Sequence, residues 1–284
     1  MEFILNEESL TGQFTTVENF LKSLKNNIRC FQIIRKSGDN IISKTENFYD
    51  QYVTSDKRIC DLRSCQCSEE LLAFQFQLEQ EIYSLPHWDK DPKHDLSEIY
   101  WWNGRDMTAT GMAEAVERDH MLLSFDKDAF KDCELHIQKN DVAVAIQSIY
   151  SPMYLVQNVG DKLHMQRDEI LKVKYEGTRI DCSSIEKKYG ADTLDEIQFK
   201  QVISSMNKFA NHETWENIDL DDGLEYKKYT PDTPQHDWYR DSMYRDKKIM
   251  KFRASSLLRV HGYRKGDRFK VLRFEPDHRQ SDHG

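Results

Sequence analysis

Near the C-terminus, residues 259–274 read RVHGYRKGDRFKVLRF, and this stretch decides the fold of the last part of the chain. Apolar and basic residues are interspersed on both sides of a central glycine, which is typical of two strands joined by a short connection. Gly266 suits such a tight turn. The stretch therefore predicts a β-hairpin with strands at 259–263 and 269–274.

Upstream segments extend the hairpin into a small sheet packed on a helix. Apolar residues recur at helical spacing through 194–209, after the capping-box pattern Thr193-x-x-Glu196. Segments 224–229 and 248–254 mix aromatic, apolar and basic residues and are predicted strands. The C-terminal region is therefore predicted to be a helix on a small antiparallel sheet that ends in the hairpin.

The N-terminal region shows a different pattern, in which strands and helices alternate. Strands are predicted at 3–5, 30–35, 41–42, 121–125 and 142–149, and helices at 15–24, 68–85 and 110–119. The first helix begins with a second capping-box pattern, Thr15-x-x-Glu18. Such alternation is typical of an α/β domain. The fold class is therefore predicted as α+β, with an acidic α/β domain at 1–165 and an α+β domain at 166–284.

The net charge of -9 is unevenly distributed along the chain. Residues 1–160 contain 16 basic and 26 acidic residues, whereas residues 161–284 contain 24 and 23. Within 247–284 the counts are 11 basic and 4 acidic residues. A basic tail on an acidic carrier is typical of a protein that binds a polyanion. A solvated hairpin face is the alternative explanation of the same charges.

Several classes of protein are disfavoured by the absence of their sequence features. No apolar run is long enough to cross a bilayer, and the first residues lack the pattern of a signal peptide. The six cysteines have no repeated spacing, so reduced thiols and a cytoplasmic location are expected. Cys60, Cys65 and Cys67 lack the paired spacing of a zinc site. The glycine-rich and His-Glu motifs of cofactor-dependent enzymes are also missing, so no cofactor is expected.

The basic hairpin contains the side chains that RNA cleavage by 2′-hydroxyl attack requires. Cations stabilise the charge that develops on the scissile phosphate. One further group must take the 2′-proton, and another must protonate the leaving oxygen. Arginines and lysines of the hairpin suit the first role, and its tyrosine and histidines suit the second.

Segments 251–255, 258–263 and 269–274, closed by His278, resemble the RelE/ParE superfamily of small bacterial toxins. Members of that superfamily include ribosome-dependent mRNA interferases. The resemblance implies a RelE-like fold for 166–284 and metal-independent endoribonuclease activity, in a toxin–antitoxin or antiphage defence system. It also implies RNA as the partner, with ribosome-bound mRNA as one candidate, and a protein partner or antitoxin bound through the N-terminal domain.

The same resemblance implies roles for individual residues. Arg253 and Arg259 would bind phosphate, and Tyr263 or His278 would transfer protons. The other predicted nucleic-acid contacts are Lys227, Lys228, Arg264, Lys265, Arg268 and Arg273.

Two alternatives remain open from the sequence. In the first, the protein is a non-catalytic interaction subunit of a defence complex, and the aromatic pair Trp101 and Trp102 contacts a protein partner. In the second, Glu114, Glu117 and Asp119 hold Mg²⁺ in a metal-dependent nuclease. Glutamates three residues apart share one face of a helix, which favours joint binding of a metal.

Overall fold

The chain folds into two units, Met1–His164 and Met165–Gly284. The computed structural model describes residues 1–65, 67–231 and 233–280. These residues form helices and two mixed sheets, so the fold class is α+β. Among the same residues, none of the helices has the length and apolar character needed to span a membrane.

The first unit is built on a seven-stranded sheet. Its strands are β1 (Glu2–Leu5), β2 (Ile41–Ser43), β3 (Tyr100–Trp102), β4 (Arg105–Asp106), β5 (Met121–Leu123), β6 (Cys133–Lys139) and β7 (Val142–Ile149). The strand order is β2-β1-β5-β7-β6-β3-β4. The first four strands in this order are parallel, and the remaining pairs are antiparallel.

The helices of the first unit include the segment 30–35, which the sequence predicts as a strand. Their bounds are α1 (Val17–Lys36), α2 (Glu69–Tyr83), α3 (Gly111–Val116) and α4 (Pro152–Val159). The segment 30–35 is the buried end of α1, so the strand prediction is wrong. A short apolar run does not distinguish a strand from a buried helical segment. The N-cap of α1 is also Thr16, not Thr15, and its hydroxyl accepts the N–H of Asn19 at 3.1 Å.

The described residues of the second unit form three α-helices and a five-stranded sheet. The elements are α5 (Arg167–Lys174), β8 (Ile180–Asp181), α6 (Glu196–Asn211), α7 (Trp215–Asp219), β9 (Lys227–Lys228), β10 (Ile249–Arg253), β11 (Arg259–Lys265) and β12 (Arg268–Glu275). The strand order is β8-β12-β11-β10-β9, with β8 parallel to β12 and the other pairs antiparallel. The predicted strand 224–229 is reduced to β9, because Glu225 adopts a left-handed conformation (φ 41°) that bends the chain.

Helix α6 begins two residues after the position that the pattern Thr193-x-x-Glu196 predicts. Asp195 accepts the N–H of Gln198 at 2.8 Å, and the Gln198 side chain accepts the N–H of Asp195 at 3.0 Å. Each side chain thereby satisfies a backbone donor that the first helical turn leaves unpaired. The predicted helix is confirmed, with a corrected start.

The apolar side of α6 packs on one face of the sheet, which we call the helix face. Val202, Met206 and Phe209 are fully buried there together with Phe252 and Phe269. The ring centroid of Phe209 lies 4.9 Å from that of Phe252 and 5.3 Å from that of Phe269. This aromatic cluster is the core of the second unit.

Strands β11 and β12 form the predicted hairpin, and Gly266 takes a left-handed conformation (φ 61°) at its turn. The pairing register shifts between His261 and Gly262, because β12 accommodates one extra residue, Leu272. A Cβ atom on Gly262 would lie 2.1 Å from the carbonyl oxygen of Lys270. The close approach of the two strands therefore requires glycine.

A twenty-residue connection, 229–248, joins the adjacent antiparallel strands β9 and β10. We call it the strap; residue 232 lies outside the described residues. Adjacent antiparallel strands are usually joined by two to five residues, and much longer loops are usually functional. Tyr229 and Tyr239 of the strap pack with Ile249 and Leu272 on the second face of the sheet, which we call the strap face.

A buried carboxylate stands out in the first unit, directly after β1. Glu7 is 8% exposed, and its Oε1 accepts the N–H of Gly111 at 2.6 Å. Its Oε2 has no hydrogen-bond partner among the described residues. Burial raises the pKa of Glu7 to about 7, and the bond from Gly111 only partly offsets this effect. Glu7 therefore binds a proton more tightly in the folded chain than in the unfolded chain.

Replacing the Glu7 carboxylate with an amide tests whether its raised pKa makes the stability of the fold depend on pH. The raised pKa of Glu7 stabilises the fold at low pH, and this stabilisation is lost as pH rises from about 4.5 through about 7. We expect the stability of Glu7→Gln relative to wild type to increase by about 3 kcal/mol between pH 4.5 and pH 8. Denaturant titrations with amide exchange of β1 measure it. Glu18→Gln, with a side chain 61% exposed, is the control; a difference that does not change with pH contradicts the assignment.

Candidate nucleic-acid interface

The strap face of the sheet has a row of buried polar side chains. Lys251, Arg259, His261, Arg273 and Glu275 are each at most 4% exposed. They lie on neighbouring strands, because Lys251 and Arg273 both pair with His261 and Arg259 pairs with Glu275. Charged side chains are almost never this buried unless they are paired. We therefore identify the group that each of these side chains contacts.

Arg259 and Arg253, the two predicted phosphate ligands, are occupied by the protein itself. Arg259 Nη1 donates to the carbonyl oxygens of Ser255 at 2.7 Å and Leu258 at 3.1 Å, which closes the turn between β10 and β11. Arg253 forms a salt bridge with Glu225. Arg259 is buried and Arg253 is neutralised, so neither side chain is presented to a ligand in this structure.

Arg273, predicted to contact nucleic acid, is buried beneath the strap. Its guanidinium forms a bidentate salt bridge with Glu186, with N–O distances of 2.7 and 3.0 Å, and donates to the carbonyl oxygen of Trp238. It also lies 4.3 Å from the ring centroid of Tyr239 and 4.6 Å from that of Tyr189. These contacts join the strap to the sheet.

His261 and Glu275 form a buried pair next to Arg273. His261 Nε2 lies 2.9 Å from Glu275 Oε2, and both side chains are at most 1% exposed. The aromatic rings of Tyr229, Trp238 and Tyr239 surround the imidazole. Burial lowers the pKa of His261, and the hydrogen bond to Glu275 only partly offsets this effect. The sequence analysis assigned no role to Glu275, Trp238 or Tyr239.

The four predicted catalytic residues do not meet at one point. Arg253 pairs with Arg259 across β10 and β11, and His278 follows the end of β12 that pairs with Arg259. Tyr263 lies four residues further along β11, which corresponds to about 13 Å at the rise of a strand. Lys247 Nζ lies 5.9 Å from the ring centroid of Tyr263, which is half-buried. Tyr263 is therefore the predicted catalytic residue closest to exposed cations.

The exposed cations of the sheet lie at the hairpin-turn end. We call the following five residues the basic end: Lys228, Lys247, Lys248, Arg264 and Lys265. Among the described residues, none of these five has a carboxylate within ion-pair distance. The Arg264 guanidinium lies 4.1 Å from the ring centroid of Trp215 in α7. The carboxylate of the hairpin turn, Asp267, instead accepts Trp215 Nε1 at 2.8 Å.

The remaining predicted contacts differ in their availability. Lys227 is exposed on β9. Arg268 Nη2 donates to the carbonyl oxygen of Ile180 at 3.2 Å, and its Nη1 lies 3.7 Å from Asp181. The predicted nucleic-acid contacts that remain accessible and unpaired are therefore Lys227, Lys228, Arg264 and Lys265.

The acidic residues proposed as magnesium ligands are occupied by protein donors. Glu114 is fully buried and bonds to His94 Nδ1 at 2.6 Å and to Arg118. Burial acts to raise the pKa of Glu114, but these hydrogen bonds outweigh it and lower the pKa below its usual value. Glu117 pairs with Lys139 at 2.8 Å.

Asp119, the third proposed ligand, accepts the N–H of Glu2 at 2.6 Å. In the part of the chain that the structure describes, no group of three or more His, Cys, Asp or Glu residues is placed to hold a metal. Among those described residues, neither the three acidic residues of the magnesium hypothesis nor Cys60, Cys65 and Cys67 form a set of metal ligands. Of the aromatic pair, Trp102 stacks on Phe130 at 4.8 Å, while Trp101 is 43% exposed.

A pair of substitutions separates the buried cations from the basic end. Arg273→Met should lower the free energy of unfolding of the second unit by about 3 kcal/mol, because Glu186 and the Trp238 carbonyl lose their partner. Lys265→Met, at an exposed position without an ion pair, should change it by less than about 0.5 kcal/mol. Urea unfolding followed by amide exchange of β12 measures both. Equal effects would contradict the distinction.

The sheet of the second unit thus combines an exposed basic end with a buried polar row beneath the strap. Comparisons of the chain with protein-family models, curated proteins and solved structures found no match.

Proposed function

We propose that the protein binds RNA phosphates through the basic end and acts as a RelE-like, metal-independent endoribonuclease in a toxin–antitoxin or antiphage defence system. The observation that carries this proposal is the set of five exposed cations that have no carboxylate partner among the described residues. A helix packed on a sheet that ends in a basic hairpin also supports the proposal, although β8 pairs in parallel with β12 where an antiparallel sheet is expected.

Three adjacent strands bring the basic end together. Lys228 pairs with Met250, Lys248 directly precedes β10, and Arg264 directly follows Tyr263 on β11. Neighbouring strands lie about 4.8 Å apart, so these cations lie at one end of the sheet, with Arg264 on the helix face over Trp215 and Lys247 beside Tyr263 on the strap face. No carboxylate of the described residues lies within ion-pair distance of them, so a polyanion that binds them releases its counterions.

Arg264 offers a second mode of contact. One side of its guanidinium lies over Trp215, and the residue remains exposed. Guanidinium planes stack on unpaired bases in single-stranded RNA. The tryptophan holds the guanidinium in place before binding, so less conformational freedom is lost when a base stacks on it. Single-stranded RNA is therefore the substrate class that this surface fits best.

Tyr263 supplies a proton-transfer group beside the basic end. In cleavage by 2′-hydroxyl attack, the 2′-oxygen bonds to phosphorus, the bond to the 5′-oxygen breaks, and that oxygen takes a proton. The Tyr263 hydroxyl can donate this proton, while Lys247 beside its ring and Lys265, which faces the same side of β11, stabilise the charge on the phosphate. The products are a 2′,3′-cyclic phosphate and a 5′-hydroxyl.

RNA binding by the full chain should depend strongly on salt. For about four phosphate contacts, the logarithm of the affinity for a short single-stranded RNA should fall with the logarithm of salt at a slope of about -3. Arg264→Ala and Lys265→Ala should each flatten the slope by about 0.7. Fluorescence anisotropy measures it. Lys200→Ala, on α6 and paired with Glu196, is the control and should leave the slope unchanged; unchanged slopes in all three variants would exclude the basic end.

Removal of one hydroxyl group tests the role of Tyr263. Tyr263→Phe should reduce the rate of RNA cleavage by about 100-fold or more, with the affinity for RNA unchanged, because only proton transfer is lost. Cleavage is measured with and without ribosomes and in excess EDTA. If Tyr263→Phe cleaves RNA at the wild-type rate, Tyr263 does not have this role. A wild-type chain that neither binds nor cleaves RNA refutes the proposed function and favours the interaction-subunit hypothesis.

A further inference from the structure

We propose that the strap covers a second part of the active site, in which the buried pair His261–Glu275 is the general base for an RNA phosphodiester held by Arg273. The inference rests on the proposed function and deepens it. Tyr263 protonates the leaving oxygen, and a separate group must take the proton of the 2′-hydroxyl. The site becomes accessible when the strap moves off the sheet.

The His261–Glu275 pair has the geometry of an oriented base. Glu275 accepts from His261 Nε2 at 2.9 Å, which fixes the proton on Nε2 and leaves the Nδ1 lone pair as an acceptor. Among the described residues, Nδ1 has no hydrogen-bond partner, although the side chain is fully buried. Burial lowers the pKa of His261, so the ring is neutral near pH 7. A neutral imidazole oriented by a carboxylate can take a proton from a hydroxyl group.

Cations flank this imidazole on both neighbouring strands. Lys251 pairs with His261 across β10 and β11, and Arg273 pairs with it across β11 and β12. Arg273 Nη1 donates to the carbonyl oxygen of Trp238 in the strap. A phosphate oxygen is a stronger acceptor for a guanidinium than a neutral carbonyl oxygen. Displacement of the strap therefore frees a donor that suits a phosphodiester.

Two aromatic residues of the strap shield the site. The ring centroids of Trp238 and Tyr239 lie 5.2 and 6.2 Å from that of His261, and Tyr239 also stacks over Arg273 at 4.3 Å. Nucleobases stack on arginine and histidine planes in the same way. The Tyr239 hydroxyl is buried without a hydrogen-bond partner among the described residues. The strap therefore covers the surface on which RNA would bind, and the Tyr239 hydroxyl makes no hydrogen bond to the described residues there.

Two residues of β11, His261 and Tyr263, supply the base and the acid that the reaction needs. His261 Nδ1 takes the 2′-proton, the 2′-oxygen bonds to phosphorus, and the bond to the 5′-oxygen breaks. That oxygen takes the proton of Tyr263, and the imidazolium returns a proton to the tyrosinate through solvent. His261 and Tyr263 are two residues apart on β11 and face the same side, about 7 Å from each other. One phosphodiester fits between them.

The test uses full-chain variants in which the strap packs less tightly on the sheet. Trp238→Ala/Tyr239→Ala should cleave a short single-stranded RNA about 10-fold faster than wild type or more, because an open state populated below about 10% becomes dominant. Without RNA, His261 should react with diethyl pyrocarbonate in this variant and be protected in wild type. Adding His261→Gln should lower cleavage by about 100-fold. Met243→Ala, at a strap residue 84% exposed, is the control and should behave as wild type.

A second variant guards against simple unfolding. A specific protease site inserted after Met243 allows the strap to be cut while Trp238 and Tyr239 are retained, and cutting should also accelerate cleavage. Amide exchange of β12 verifies that the sheet is intact. If His261 becomes reactive but cleavage does not rise in either variant, or rises without requiring His261, the inference is overturned while RNA binding by the basic end still stands. If no variant binds RNA, the proposed function fails, and the inference fails with it.

Discussion

The second unit depends on satisfying one buried guanidinium. The guanidinium of Arg273 is a cation, so its burial beneath the strap must be offset by partners. Those partners come from two parts of the chain: Glu186 and the Tyr189 ring after β8, and the Trp238 carbonyl oxygen and the Tyr239 ring in the strap. The position of the strap follows from this requirement. A strap displaced from the sheet leaves Arg273 with Glu186 and the Tyr189 ring, and the freed donor then needs water or an anion.

The elements that the sequence predicts correctly are those determined by local pattern. The hairpin follows from alternation around Gly266, and α6 follows from apolar spacing and a polar residue at its start. The prediction fails for 30–35, because a six-residue segment with four apolar residues fits a strand and a buried helix equally well. The tertiary environment of α1 decides between them. The start of α6 is likewise set by the hydrogen bonds of Asp195, and several nearby polar residues give a similar pattern.

The candidate site was harder to predict, because sequence does not distinguish a buried arginine from an exposed one. Arg259 and Arg264 lie on the same strand, yet one is bound to the carbonyl oxygens of a turn and the other is exposed over Trp215. Which cations are covered depends on the strap, a segment remote from the hairpin in sequence. A signal was nevertheless present: eighteen residues separate the predicted strands 224–229 and 248–254, and Trp238 and Tyr239 lie among polar residues there.

Stability alone does not explain the chemistry of the strap face. Apolar side chains in place of a buried ion pair are often neutral or stabilising, and each unpartnered buried polar atom costs about 1–3 kcal/mol. His261 Nδ1 and the Tyr239 hydroxyl are two such atoms, and the helix face of the same sheet shows that this chain can build an apolar core. A polar interface with unpartnered hydrogen-bonding atoms is less stable than an apolar interface at the same place would be. Its composition is instead what a face needs if it must bind a polar ligand once the strap has moved away.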